Sequence, residues 1–350
     1  MSPQEITRVA ILDALGNVLD PELGKDLVTL GMIDGLKIKD SQVHFTINLT
    51  TPACPLKDQI KQSAKEAVLA VDGVSAVHIE LGSKVPVGQK KSEHASIRNS
   101  VAIASGKGGV GKSTVAVNVA VTLAQSGARV GLLDADIYGP NLPTMMGVNS
   151  IGGATENKKI LPAEAYGVKV MSIGFLVKPE QAIIWRGPLL HSAIQQFIND
   201  VEWGELDYLI IDLPPGTGDV QLSLSQTLDL QGGVIVTLPQ KVSLDDARRG
   251  LNMFRQLGVP VFGVVENMSY LELPGGEKMD IFGSGGGEAL ATETGVPFIG
   301  GIPIDPAVRE GGDIGIPVII SHPDAPVSQA LRAISENIAA KVSVEAFREN

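Results

Sequence analysis

The nonapeptide "GKGGVGKST", Gly106 to Thr114, has the residues and spacing of a phosphate-binding loop, G-x-x-x-x-G-K-[ST], between a strand-like apolar run and a helical pattern. Gly106, Gly108, Gly109 and Gly111 have no side chain to keep backbone N–H groups from converging on phosphate oxygens, and Val110 and Thr114 complete the ATP-binding stretch. The helix that follows would aim the positive end of its dipole at the same oxygens. Lys112 would neutralise the β- and γ-phosphates, and Ser113 offers a hydroxyl to Mg2+. Lys107 is a second lysine, inside the loop.

Carboxylates fall where such a loop needs them. "LLDADIYGPN" ends a strand with Asp134 and Asp136, and "LIIDLPPGTGD" ends another with Asp212. Strand C-termini face the ligand crevice of a doubly wound sheet. Asp212 is expected to hold Mg2+, directly or through water. Asp136 is expected to orient the attacking water or a magnesium-bound water, and Gly216 to offer an N–H to the γ-phosphate. Asp134 either joins them or caps the turn. Positioning and charge stabilisation carry most of phosphoryl transfer, so no acid–base pair is required. Asn267, in "VVENMS", has both a donor and an acceptor for an adenine edge.

A different chemistry rests on Cys54, the single cysteine, in "TTPACPLKD". Prolines on both sides end any strand before it and place the thiol at a strand-to-helix turn. It reads either as a reactive thiol or as a small buried hydrophobe. The histidines, at 44, 78, 94, 191 and 322, have no metal-ligand spacing.

Two groups of elements must position these residues. Over 1–85, an amphipathic helix, two strand-like runs ("GMIDGLKIK" and "QVHFTINLT"), a helix from Leu56 to Val71 and the run "VSAVHIEL" predict a small α+β domain. Residues 86–99 read as a linker. Over 100–350, the apolar runs "VAIAS", "RVGLLD", "VKVMSI", "YLIIDLP", "GGVIVTLP", "VFGVVEN" and "PFIGGIP" alternate with helical segments. That alternation predicts an α/β domain with a mostly parallel, doubly wound sheet.

Bulk composition narrows the function classes. The net charge is -11, and residues 1–98 hold 11 basic and 12 acidic groups against 17 and 27 in the remainder, so the acidity belongs to the larger domain. Nonspecific nucleic-acid binding, which needs clustered Lys and Arg, is not expected. Nor is a membrane partner: no run of 18 apolar residues occurs, and the terminal helical pattern from Pro326 has few basic groups. One cysteine cannot form an internal disulfide, which fits a reducing compartment, and a cytoplasmic protein is expected.

With Lys107 in place, the loop resembles the deviant phosphate-loop ATPases, K-G-G-x-G-K-[ST], a group that includes division-site and plasmid-partition ATPases and the nitrogenase iron protein. The resemblance implies a homodimer in which Lys107 reaches the partner's nucleotide, and it implies ATP over GTP at Asn267. More narrowly, "DPE" (Asp20–Glu22) and "TTPACP" resemble the MIP18-type domain of iron-sulfur assembly factors. "ASGKGGVGKST", "LLDADIYGPN", "WRGP", "DLPPGTGD", "ENMS" and "FGSGGG" resemble the Mrp/ApbC family. That family implies an ATP-hydrolysing carrier, with Lys107, Lys112 and Asp136 catalytic, which passes an iron-sulfur cluster, typically [4Fe-4S], to apo-protein clients. Typical members carry Cys-x-x-Cys after the "ENMS" block, where this chain reads "SYLELPGGEKMDIFG". Cys54 is then the one protein thiol for a cluster, as ligand or transfer group, two per dimer where about four are wanted. The alternative is a nucleotide-switched client-binding ATPase with no cluster of its own.

Overall fold

The computed structural model describes residues 6–87, 96–137, 139–175, 187–218, 221 and 230–348. Most of the expected linker (88–95), Tyr138, Trp185 and Arg186 of "WRGP", and Asp219 lie outside the described residues. The chain divides into two compact units, one of 1–86 with 339–350 and one of 87–338.

In the first unit, Arg8–Leu15 (α1) is capped by Thr7, whose Oγ1 accepts the Ala10 N–H at 3.2 Å. Ile33–Lys39 (β1) pairs antiparallel with Gln42–Leu49 (β2), and β2 pairs parallel with Ala76–Ser83 (β3). The parallel pairing needs a crossover, which Lys57–Leu69 (α2) supplies. Alternation in β2 buries Val43, Phe45, Ile47 and Leu49 and leaves His44 exposed. That face packs with Ile11, Leu15, Ile60 and Val68 as one core. Each such buried side chain is worth about 1.5–3 kcal/mol. His44 and His78, adjacent across β2 and β3, stack with ring centroids 4.4 Å apart.

The second unit is built on an eight-stranded sheet. In chain order its strands are Ser100–Ser105 (β4), Val130–Asp134 (β5), Ala163–Ala165 (β8), Val168–Ser172 (β9), Tyr208–Asp212 (β10), Gly232–Thr237 (β11), Val261–Glu266 (β12) and Phe298–Gly301 (β15). Two short ribbons, Gly153–Ala154 (β6) with Ile160–Leu161 (β7) and Leu271–Glu272 (β13) with Lys278–Met279 (β14), stand outside it. The spatial order is β15-β12-β11-β4-β10-β5-β9-β8, parallel throughout except for the β8 edge, an antiparallel turn-back that apolar periodicity did not reveal. The central strands are buried on both faces, as their unbroken apolar runs require. Chain order reverses around β4, so the crevice beyond its C-terminal end is a topological switch point.

The helices are Lys112–Gln125 (α3), Leu142–Met145 (α4), Gly187–Asn199 (α5), Lys241–Gln256 (α6), Gly286–Thr294 (α7), Pro306–Ile314 (α8), Val318–Ser321 (α9) and Pro326–Ala346 (α10). The end of α10, from Ala339, groups with the first unit. At the opposite end of the sheet from the crevice, Arg129 clamps Asp207: Nη2 donates to Oδ1 at 2.8 Å, while Nε and the backbone N–H donate to Oδ2 at 3.1 and 3.0 Å. No helix among the described residues is long and apolar enough to cross a membrane.

Candidate functional site

The phosphate loop is the link from β4 to α3. At its base the Ser105 hydroxyl donates to the Lys107 carbonyl at 2.9 Å, and the Ser105 carbonyl accepts the Gly216 N–H at 2.9 Å. Two glycines are required by close approach. A Cβ on Gly106 would stand 2.1 Å from the carbonyl carbon of Asp246 in α6. Gly111, the N-cap of α3, has φ of 84°, and a Cβ there would stand 2.1 Å from Asn267 Nδ2.

Lys112 opens α3 and is 6% exposed. Its Nζ donates to Asp212 Oδ1 at 2.6 Å and lies 3.4 Å from Ser113 Oγ and 3.5 Å from Asp136 Oδ2. The Ser113 hydroxyl donates to Asp212 Oδ2 at 2.6 Å. Sheet register explains the convergence: Asp212 pairs with Asp134 on β5 and with Ile103 on β4, one strand from the loop. The sequence-predicted residues Lys112, Ser113, Asp136 and Asp212 thus meet in one place.

Burial governs the electrostatics here. It raises the Asp134 carboxyl to about 8, the neighbouring Asp212 adds to the rise, and the Ser172 hydroxyl, the Asp136 N–H and the Lys112 charge oppose it. Burial also lifts Asp212 above the usual carboxylate range, against the opposing Lys112 charge and the hydrogen bonds from Lys112 and Ser113. Asp134 caps the turn, accepting from the Asp136 N–H at 3.1 Å, the Leu142 N–H at 3.3 Å and the Ser172 hydroxyl at 2.9 Å. Asp136 Oδ1 accepts the Gly139 N–H at 3.3 Å, which aims its other oxygen at Lys112.

Asn267 lies against the loop, its Nδ2 donating to the Val110 carbonyl at 2.9 Å. Lys107 is half-buried and Gly108 and Gly109 are exposed at the loop's outer edge. The Gly216 N–H, expected to serve a γ-phosphate, is directed at Ser105. For nucleotide phosphates and Mg2+ the residues fit: side-chain-free backbone at the loop, a lysine, and two adjacent hard oxygen donors in Ser113 and Asp212.

Cys54 belongs to the first unit and is 5% exposed within its hydrophobic core. The turn around it is a packed structure: Thr51 is buried and its Oγ1 accepts the Ala53 N–H at 3.2 Å. In "DPE", Asp20 accepts the N–H groups of Glu22 and Leu23 at 2.9 and 3.0 Å. Burial, then the Asp20 charge, raise the Glu22 carboxyl, against Lys341. Among the described residues, no group of three or more His, Cys, Asp or Glu side chains is arranged to hold a metal ion.

Sequence reasoning missed three residues that support the site. Ser172 bonds Asp134 from β9, 38 positions away. Gln221, buried, donates to the Pro214 carbonyl at 2.8 Å and so braces the turn after Asp212. Glu266 is buried beside Asn267; its place at the head of "ENMS" was the available signal.

Comparison with known proteins places both units in known families. Residues 96–339 match the family described as NUBPL iron-transfer P-loop NTPase, and residues 8–81 match the family described as iron-sulfur cluster assembly protein. An iron-sulfur cluster carrier protein of Synechocystis sp. is 50% identical over 352 residues, covering 98% of this chain and 99% of that protein. Its counterpart in Deinococcus radiodurans is 51% identical over 342 residues, covering 97% of each. The solved structure of a nucleotide-binding protein from Archaeoglobus fulgidus in complex with ADP is 40% identical, with a TM-score of 0.56 over 63% of this chain and 88% of that one. The cell division ATPase MinD of Pyrococcus furiosus, 24% identical with a TM-score of 0.53 over 69% of this chain and 98% of its own, shares the fold. A phosphate loop at the switch point, the family's motif blocks in order and these matches lead to one conclusion: the chain belongs to the NUBPL-type iron-transfer P-loop NTPases, of the Mrp/ApbC kind.

Proposed function

We propose that this protein hydrolyses ATP with Mg2+ and carries an iron-sulfur cluster, as cargo, to apo-proteins in the cytoplasm. The observation that carries the nucleotide half is the convergence of Lys112, Ser113, Asp136 and Asp212 at the C-terminal end of the central strands. Mg2+, when bound, offsets charge that develops on phosphate oxygens. Ser113 and Asp212 would hold it, and Lys112, whose Nζ rests on Asp212 Oδ1 at 2.6 Å, would turn its ammonium to the phosphates. Asp136, fixed by the Gly139 N–H, orients the water. Asn267 keeps an amide N–H and its carbonyl for the base while its other N–H holds Val110. In this reading Lys107, half-buried at the loop's outer edge, acts on a second copy's nucleotide in a homodimer.

The cargo half is supported by the iron-sulfur carrier relatives and by the assembly-protein match over residues 8–81. In this reading Cys54 supplies one thiolate per chain for a [4Fe-4S] cluster, and client or small-molecule ligands complete it. A second reading, a nucleotide-switched client-binding ATPase without a cluster, is favoured by the burial of Cys54. Anaerobic reconstitution with iron and sulfide separates them. The carrier reading expects visible-region absorption that Cys54→Ala abolishes; a colourless wild-type product together with ATP-dependent client binding supports the second. Loss of ATP binding in Lys112→Ala tests the nucleotide half, and normal turnover in that variant refutes it.

A further inference from the structure

The buried acid of the "ENMS" block does something that nucleotide binding alone does not explain. Glu266 ends β12 and is 3% exposed. Its carboxylate is split between two elements: Oε2 accepts the Gly287 N–H at 2.5 Å, in the first turn of α7, and Oε1 accepts the Ser269 hydroxyl at 2.7 Å. A Cβ on Gly287 would lie 2.9 Å from the Glu266 Cβ, so a side chain there would hold the helix away. Charge-assisted bonds at a helix N-terminus are the strong kind. The main chain closes the same corner: the Glu266 carbonyl accepts the Ile302 N–H at 2.8 Å, and the Ser269 N–H donates to the Ile302 carbonyl at 2.9 Å.

Asn267 stands inside that corner, with its N–H on the Thr237 carbonyl at 2.8 Å and its amide on the phosphate loop. On the far side, the Tyr270 carbonyl accepts the Ile304 N–H at 2.7 Å and the chain enters the β13–β14 ribbon. Lys278 Nζ lies 4.0 Å over the Tyr270 ring, and Met279 and Ile281 are each 48% exposed. The residues on either side of Asn267 are tied to α7 through Glu266, to Ile302 just beyond β15 and, through Tyr270, to Ile304, so a displacement of Asn267 bears on all three.

We propose that Glu266 is a positioning residue that couples the nucleotide pocket to residues 270–287, so that filling the pocket is transmitted to the exposed ribbon and the start of α7. The proposal rests on the ATP-site reading above. Its test is amide hydrogen exchange over 270–287 in the full chain, with and without saturating Mg-ATP, alongside ATP binding and steady-state kinetics. In the wild type, ATP changes exchange at Gly287 and in the ribbon. Glu266→Gln keeps an acceptor for the Gly287 N–H and reverses the second bond, its amide N–H donating to the Ser269 oxygen while that hydroxyl donates to the Glu266 carbonyl, so it retains the response, with KM for ATP within about threefold. Glu266→Ala loses the response and raises KM about tenfold, with kcat at saturating ATP within about twofold. A merely structural acid would not divide KM from kcat in this way. Should Glu266→Ala fail to fold, Ser269→Ala severs one of the two links; a weakened response with KM raised about threefold supports the proposal, and wild-type behaviour overturns it. A wild-type response in Glu266→Ala also overturns it, as does wild-type ATP binding with unchanged exchange. No ATP binding by the wild type overturns the nucleotide reading and this proposal together.

Discussion

Removing the Asp212 carboxylate probes the site through stability, independently of turnover. Asp212 is 1% exposed and holds Lys112 at 2.6 Å and the Ser113 hydroxyl at 2.6 Å. In Asp212→Ala the Lys112 ammonium stays buried, with Asp136 at 3.5 Å as its remaining ion-pair partner. Breaking a buried pair by deleting one member costs about 3–5 kcal/mol. Asp136 and relief of the repulsion on Asp134 offset part of this, so the expected loss is about 3 kcal/mol, at the low end of that range. For a unit of this size each kcal/mol shifts the midpoint by about 2–4 °C, which gives a fall of about 6–12 °C in a nucleotide-free melt. Lys112→Ala should behave differently with pH. Its loss removes the charge that opposes the upward shift of Asp212, so the folded state binds a proton that the unfolded state does not. Such a group's contribution is fully present below the unfolded carboxylate value and is lost as pH rises through the raised folded one. The Lys112→Ala deficit should therefore grow as pH rises above the unfolded carboxylate value. An Asp212→Ala variant as stable as the wild type, or a pH-independent Lys112→Ala deficit, would refute this account of the buried cluster.

Other consequences are open to direct measurement. Burial would raise the Asp207 carboxyl, but the hydrogen bonds and charge of Arg129 outweigh it and hold the group below its usual range. Its contribution is present above the unfolded carboxylate value and lost as pH falls through the folded one, so Asp207→Asn should flatten the acid limb of the stability profile and cost about 1 kcal/mol at pH 7; an unchanged acid limb counts against the clamp. Gly111→Ala places a methyl group 2.1 Å from Asn267 Nδ2 at a φ of 84°, and should abolish nucleotide binding in a calorimetric titration. Cys54 is 5% exposed, so a thiol reagent should modify it at the rate of opening of the first unit and not at the rate of a free thiol; immediate modification would show that the turn is open.

Much of the fold can be read along the chain because each parallel strand is an unbroken apolar run and each joining segment has helical spacing. The phosphate loop is legible for a related reason: its function needs glycines and a lysine within nine consecutive residues. What the sequence conceals depends on contacts between distant positions. The Lys112–Asp212 pair joins residues 100 apart, and Ser172 reaches Asp134 across 38. No local pattern announces either, since both arise from strand order and register. The same holds for Glu266, an acid at the end of an apolar strand whose partners become visible only once α7 is docked. Cys54 remained open between reactive and buried because flanking prolines specify a turn and say nothing of its exposure. Its burial follows from the packing of β2, α2 and the intervening turn.

The central claim of the proposal is that this P-loop NTPase carries an iron-sulfur cluster without the usual cysteine pair. Iron and acid-labile sulfide, counted per chain after anaerobic purification, test it most directly. The account predicts about two of each per chain in the wild type, as one [4Fe-4S] cluster shared by two copies requires, and almost none in Cys54→Ala. Wild-type protein that binds Mg-ATP yet holds no iron or sulfide, or a Cys54→Ala variant that holds as much as the wild type, would contradict it.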